Sequence, residues 1–155
     1  MLGYSVARDA TVVRRQLFRA QRATAIAGPR LRPEFIRRIR QQLTELNSAA
    51  AEYVGLLNSG VLDTASEEDL RELSGRLGVL LTTFRWVLDL ASKLKLGSEP
   101  GYGKELARME SLYGRFHSIL EGITLSLEVE FRMSVQNAVT KLRAELVSDE
   151  PVHCR

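Results

Sequence analysis

Apolar residues recur along the chain at spacings of three and four, and almost no stretch alternates between apolar and polar residues. This periodicity predicts helices and requires no strands. Capping residues, glycines and prolines then divide the chain into four helical segments. The predicted helices run from about Val6 to Ala27, from Pro33 to about Asn58, from Ser66 to just before Gly97, and from about Lys104 to Ser148. The sequence therefore predicts an all-α fold.

The last three segments carry long apolar stripes, which predict an antiparallel helical bundle with short connections. In the fourth helix the stripe changes phase by one position before Phe131, which a straight helix or a small bend accommodates. At about 1.5 Å per residue, this helix would be nearly 70 Å long against about 40 to 45 Å for the second and third. We therefore expect one end to overhang, or a break near Gly122.

Gly75 and Gly78 interrupt the third helix and predict a tight helix crossing. The stripes are Ile36, Ile39, Leu43, Leu46, Ala50, Tyr53 and Leu57; Leu70, Leu73, Leu77, Leu80, Phe84, Val87, Ala91 and Leu94; and Leu106, Met109, Tyr113, Phe116, Leu120, Ile123, Leu127, Phe131, Val135, Ala138, Leu142 and Leu146.

The first helix has a smaller apolar face than the other three, so we expect an arm that packs only partly on the bundle, with a fourth bundle member as the alternative. The chain then divides into a basic N-terminal helix and linker at 1–32, a bundle at 33–148 and a polar tail at 149–155. The apolar face of the first helix consists of Val6, Ala10, Val13, Leu17, Ala20 and Thr24.

Length and composition are those of one globular domain, with 155 residues, 45% hydrophobic and 26% charged. No run approaches the roughly 18 apolar residues of a membrane span, so no transmembrane segment is predicted. The single cysteine, Cys154, cannot form an intrachain disulfide, and nothing suggests an oxidising compartment. The expected location is intracellular, or a particle such as a virion assembled inside the cell.

Positive charge is concentrated at the beginning of the chain. Residues 1–45 contain ten arginines and three carboxylates, a net charge of +7, whereas residues 46–155 have a net charge of −4. On a helix, Arg8, Arg15, Arg19 and Arg22 fall within a stripe about 60° wide, opposite the apolar face. This asymmetry is typical of proteins that bind a polyanion or a membrane surface. The candidate binding residues are Arg8, Arg14, Arg15, Arg19, Arg22, Arg30, Arg32, Arg37, Arg38 and Arg40.

Guanidinium groups bind phosphates in bidentate fashion, so a track of arginines suits the backbone of a nucleic acid and gives affinity that depends on salt and not on sequence. The general plan resembles, in architecture alone, the coat proteins of filamentous viruses, in which a helical bundle carries a basic element that wraps the genome. That resemblance implies repeated subunits in a homo- or hetero-oligomer. Three alternatives stay open: an adaptor that docks on an acidic protein, a peripheral membrane protein, and a merely solvated face in a chain that contains 18 arginines and only 4 lysines.

Candidate catalytic and metal-binding sets are weak, so neither an enzyme nor a cofactor is expected. The chain has no phosphate-binding glycine loop, dinucleotide fingerprint, nucleophile elbow or Cys-x-x-Cys pair. His117 and Glu121 stand one helical turn apart but lack the second histidine and carboxylate pair of a di-iron bundle. His153 and Cys154 lie in the predicted tail, where a nucleophile would have no pocket. Trp86 falls at the edge of the third apolar stripe.

Overall fold

The structure, a computed structural model, describes the backbone of residues 2–27 and 33–153 and the side chains of residues 5–26 and 33–147. The described residues form four α-helices and no β-strand, which confirms the predicted all-α fold. The predicted linker and the ends of the chain lie outside the described residues. The helices are α1 (Leu2–Ala27), α2 (Pro33–Leu57), α3 (Glu67–Lys93) and α4 (Tyr102–His153).

The helix boundaries follow local capping chemistry. The hydroxyl of Ser66 accepts a hydrogen bond from the backbone N–H of Asp69 at 3.1 Å, so α3 begins where the sequence predicts. The end of α3 differs from the prediction, because Lys95 and not Gly97 adopts the left-handed conformation, with φ of 56°. A 3₁₀ turn at Leu96–Ser98 then leads to Gly101, whose φ of 82° favours glycine.

The core lies where the apolar faces of all four helices meet. Both α1 and α4 pack against α2 and against α3. The expectation that α1 is an arm with partial packing is not confirmed, because its apolar face is buried from Val6 to Ala20 and half-buried at Thr24. The small side chains on the apolar face of α1 let this helix pack closely against its neighbours. A small apolar face therefore does not mean weak packing. The buried residues of α1 are Val6, Ala10, Val13, Leu17 and Ala20.

Helices α2 and α4 run in the same direction, since they meet near both of their starts and again farther along. Near the starts, the buried hydroxyl of Tyr102 donates a hydrogen bond to the carbonyl of Ile36. Farther along, the rings of Tyr53 and Phe116 lie 5.8 Å apart. Phe116 also packs edge-on against Phe84 of α3, with the ring centroids 6.0 Å apart. Successive helices of an antiparallel bundle alternate in direction, so α2 and α4 would also be parallel in the predicted arrangement. The antiparallel arrangement of the whole bundle is not confirmed and stays a prediction.

Helix α4 is much longer than the bundle. It continues as one helix through Gly122, so the overhang predicted from its length occurs and the alternative break does not. Ile123 is its last buried residue and Leu127 its last half-buried one, and all residues from 128 to 147 are exposed. We call residues 128–147 the α4 overhang. The tight crossing predicted at Gly75 and Gly78 is absent, because a Cβ at either position would meet nothing within 4 Å.

Candidate functional site

Four arginines of α1 lie together on the side of the helix that faces away from the core. Arg8, Arg15, Arg19 and Arg22 are all exposed, and at about 100° per residue they point opposite the buried face. We call these four residues the arginine face. The amphipathic pattern that the sequence predicts for the described part of α1 is therefore present in the structure.

The arginine face has no acidic partner in the described part of the chain. Among residues 5–26 and 33–147, no carboxylate approaches these four guanidinium groups within 4.0 Å. The arginines of α3 differ: Arg71 pairs with Glu67 at 2.6 Å, and Arg85 lies 3.7 Å from Asp89. Carboxylates one helical turn away thus compensate the charge of these arginines on α3, whereas no described carboxylate compensates the arginine face on α1. An uncompensated cluster of guanidinium groups attracts an external anion.

A surface groove of about 430 Å³ runs along the same side of α1. Phe18, 52% exposed, lies in the groove between the guanidinium-bearing residues. The groove therefore offers an apolar ring surrounded by positive charge. Its lining residues are Thr11, Arg14, Arg15, Phe18, Arg19 and Arg22.

Arg14 connects this groove to α3. Its guanidinium lies over the ring of Trp86, 3.7 Å from the ring centroid, in a cation–π arrangement. Trp86 remains 48% exposed. Two half-exposed aromatic rings, Phe18 and Trp86, thus lie beside the arginines. Phe18 lies outside the apolar face that the sequence predicts for the first helix, and Trp86 lies at the edge of the third apolar stripe. A large aromatic residue outside or at the edge of an apolar stripe was the sequence signal for this exposed aromatic surface.

The remaining candidate arginines do not all belong to this surface. Arg37 and Arg38 are exposed on α2 and do not line the groove. Arg40 has a structural contact, because its Nη1 donates to the carbonyl of Pro100 at 3.0 Å and its side chain lies against Gly101. It binds the loop before α4. Arg30 and Arg32 lie outside the described residues.

The other sets of polar side chains carry little chemistry. His117 Nδ1 lies 3.5 Å from Glu121 Oε1, with both side chains more than half exposed. No group of three His, Cys, Asp or Glu residues suited to a metal ion occurs among the described residues. Burial raises the pKa of Tyr102 to about 12 and also raises the pKa of Tyr53, but both tyrosines belong to the core. None of the described helices has the length and apolarity needed to cross a membrane.

The fold and the surface define an all-α protein whose described residues include one uncompensated arginine face. Comparison with protein-family models, with curated proteins and with solved structures found no match. The functional argument therefore depends on the arrangement of charge and aromatic surface on α1 and α3.

Proposed function

We propose that this protein is a non-enzymatic structural protein that binds the phosphate backbone of nucleic acid without sequence specificity. The observation that carries the proposal is the arginine face, with four exposed guanidinium groups on one side of α1 and no carboxylate of the described chain beside them. Phosphates bind such groups through charge-assisted hydrogen bonds. In this proposal the exposed Arg37 and Arg38 of α2 add positive charge, and Arg30 and Arg32 add further charge in the sequence between the two helices.

Aromatic rings beside the arginines favour a single strand. Phe18 and Trp86 are each about half exposed, and unpaired bases stack on such rings at about 1 to 3 kcal/mol per base. In the proposed complex the arginine face contacts phosphates while bases reach the two rings. The four helices act as an antiparallel bundle that presents this surface, and repeated subunits cover the nucleic acid as coat-type subunits of a filamentous assembly.

A titration at two salt concentrations tests the proposal. We expect the intact chain to bind a mixed-sequence single strand at about 50 mM salt and to lose affinity steeply at about 200 mM. Changing Arg8, Arg15, Arg19 and Arg22 to Gln should flatten the slope of log K against log salt by about 3, since each lost phosphate contact contributes about 0.7. Fluorescence anisotropy of the labelled strand gives the affinity, and the fluorescence of Trp86, the single tryptophan, reports on the groove.

A control with the same change in charge separates a local site from general attraction. Arg71, Arg85, Arg108 and Arg115 are exposed on α3 and α4, and their joint replacement by Gln also removes four positive charges. We expect this variant to keep most of the slope of log K against log salt. Equal losses in both variants contradict the proposal, as does an intact chain that does not bind at low salt. Binding of polyglutamate or of anionic vesicles in preference to the single strand favours an acidic protein or a membrane surface instead.

A further inference from the structure

Arg14 differs from the arginine face because its guanidinium lies on an aromatic ring of another helix. The guanidinium carbon is 3.7 Å from the centroid of the Trp86 ring. No carboxylate of the described chain lies within 4.0 Å of the guanidinium nitrogens. The Arg14 side chain is half-buried and also lines the groove that contains Phe18. Arg14 therefore connects the Trp86 ring with the cationic groove of α1.

The contact between Arg14 and Trp86 is weak in comparison with what a single strand offers to each of them. Trp86 is 48% exposed, and a cation–π contact at such an exposed position contributes little. A guanidinium forms stronger, bidentate hydrogen bonds with a phosphate. An unpaired base likewise stacks on an aromatic ring more favourably than an exposed cation does. Both side chains therefore have better partners in a single strand than they have in the free protein.

We propose that a bound single strand exchanges these partners: Arg14 leaves the Trp86 ring to bind a phosphate, and a base stacks on the uncovered ring. The exchange rests on the proposed function and adds to it a cover for the stacking surface in the free protein. Arg14 already lines the groove with Arg15 and Phe18. Rotation about its side-chain bonds therefore moves the guanidinium from the ring to the groove without a change in α1.

The exchange makes exposure of the Trp86 ring depend on what is bound. A strand of sugar and phosphate without bases, the abasic strand, removes Arg14 from the ring and puts nothing in its place. A strand of the same length with bases covers the ring again. Trp86 is the single tryptophan, so quenching of the protein fluorescence by acrylamide reports on this ring. We expect the abasic strand to increase the quenching and the strand with bases to decrease it.

Arg14→Gln tests whether Arg14 is the group that covers the ring. Without nucleic acid, this variant should have an acrylamide quenching constant at least about 1.5-fold that of the intact chain, since one ring face is no longer covered. The abasic strand should then change the quenching little. Arg19→Gln is the matched control: it removes one positive charge from the same groove, but Arg19 points about 140° away from Arg14 around α1. This control should respond to the abasic strand as the intact chain does.

Trp86→Leu separates the exchange from a role of the ring in holding Arg14 in place. Its affinity for the abasic strand should stay within about twofold of that of the intact chain, because Arg14 no longer leaves a ring to bind phosphate. Its affinity for the strand with bases should fall at least about fivefold through the lost stacking. Trp86→Phe keeps a ring and should recover most of this loss. Fluorescence anisotropy of the labelled strands gives the affinities, and circular dichroism shows whether each variant keeps its helices.

Two results overturn the exchange and leave the proposed function intact. The first is equal quenching of Trp86 in the free protein and in its complex with the abasic strand, because the guanidinium then stays over the ring. The second is an equal loss of affinity of Trp86→Leu for both strands, because the ring then serves to hold Arg14. An intact chain that binds neither strand at low salt overturns the exchange and the proposed function together.

Discussion

Single polar residues hold α2 and α4 in their relative positions. Tyr102 is fully buried, and its hydroxyl donates to the carbonyl of Ile36. Asn47, also fully buried, donates to the backbone carbonyl of Glu105 at 2.9 Å and to its carboxylate at 2.8 Å. A shift of α4 along α2 would break both contacts. It would leave buried polar groups without hydrogen-bond partners, which lowers the stability of the fold. These two residues fix the register of the two helices.

The burial of Tyr102 predicts a loss of stability at alkaline pH. Burial raises its pKa from the ordinary value of 10.0 to about 12. Above about pH 10 the unfolded chain ionises this tyrosine while the folded chain keeps it protonated, so the free energy of unfolding falls until about pH 12. Tyr102→Phe should cost about 1 kcal/mol at neutral pH through the lost hydrogen bond, and should weaken the alkaline decline. Urea unfolding at about pH 8 and about pH 11 measures both effects.

Tyr53 provides the comparison, because burial raises its pKa as well. A residual alkaline decline is therefore expected in Tyr102→Phe. An alkaline decline identical to that of the unchanged protein would contradict the assignment.

At the scale of the helices, most of the architecture could be predicted from local signals. The hydroxyl of Ser66 before three carboxylates marked the start of α3, and Pro33 marked the start of α2. The arginine face was predictable because it depends only on the spacing within one helix. The hydrogen bond of Arg40 could not be predicted, because its partner Pro100 is 60 residues away in the sequence. The contact between Arg14 and Trp86 likewise depends on how α1 meets α3, which periodicity does not specify.

The cap of α3 predicts a measurable contribution to stability. Ser66→Ala removes the acceptor for the N–H of Asp69 and should lower the free energy of unfolding by about 1 kcal/mol. Ser126→Ala, at an exposed position within α4, should change it little. Urea unfolding of both variants gives the comparison. Equal effects would show that the hydrogen bond of Ser66 contributes nothing specific.

At the scale of the whole molecule, the α4 overhang contributes no buried residue to the described core, so we expect it to add little to the stability of the bundle. No residue from 128 to 147 is buried, so a chain that ends after Glu128 keeps the whole described core. We expect its free energy of unfolding to lie within about 1 kcal/mol of that of the intact chain. Urea unfolding at equal concentration tests this, and a loss of more than about 2 kcal/mol would mean that the overhang supports the bundle.

The unbroken course of α4 beyond Leu127 also determines how its backbone meets water. Residue 147 lies about 30 Å beyond Leu127 along the helix, and every side chain described after Leu127 is exposed. A helix without neighbours opens locally at little cost, so its amide hydrogens exchange quickly with solvent. Hydrogen exchange should therefore be fast after Leu127 and slow in the part of α4 that contains the buried Met109 and Phe116.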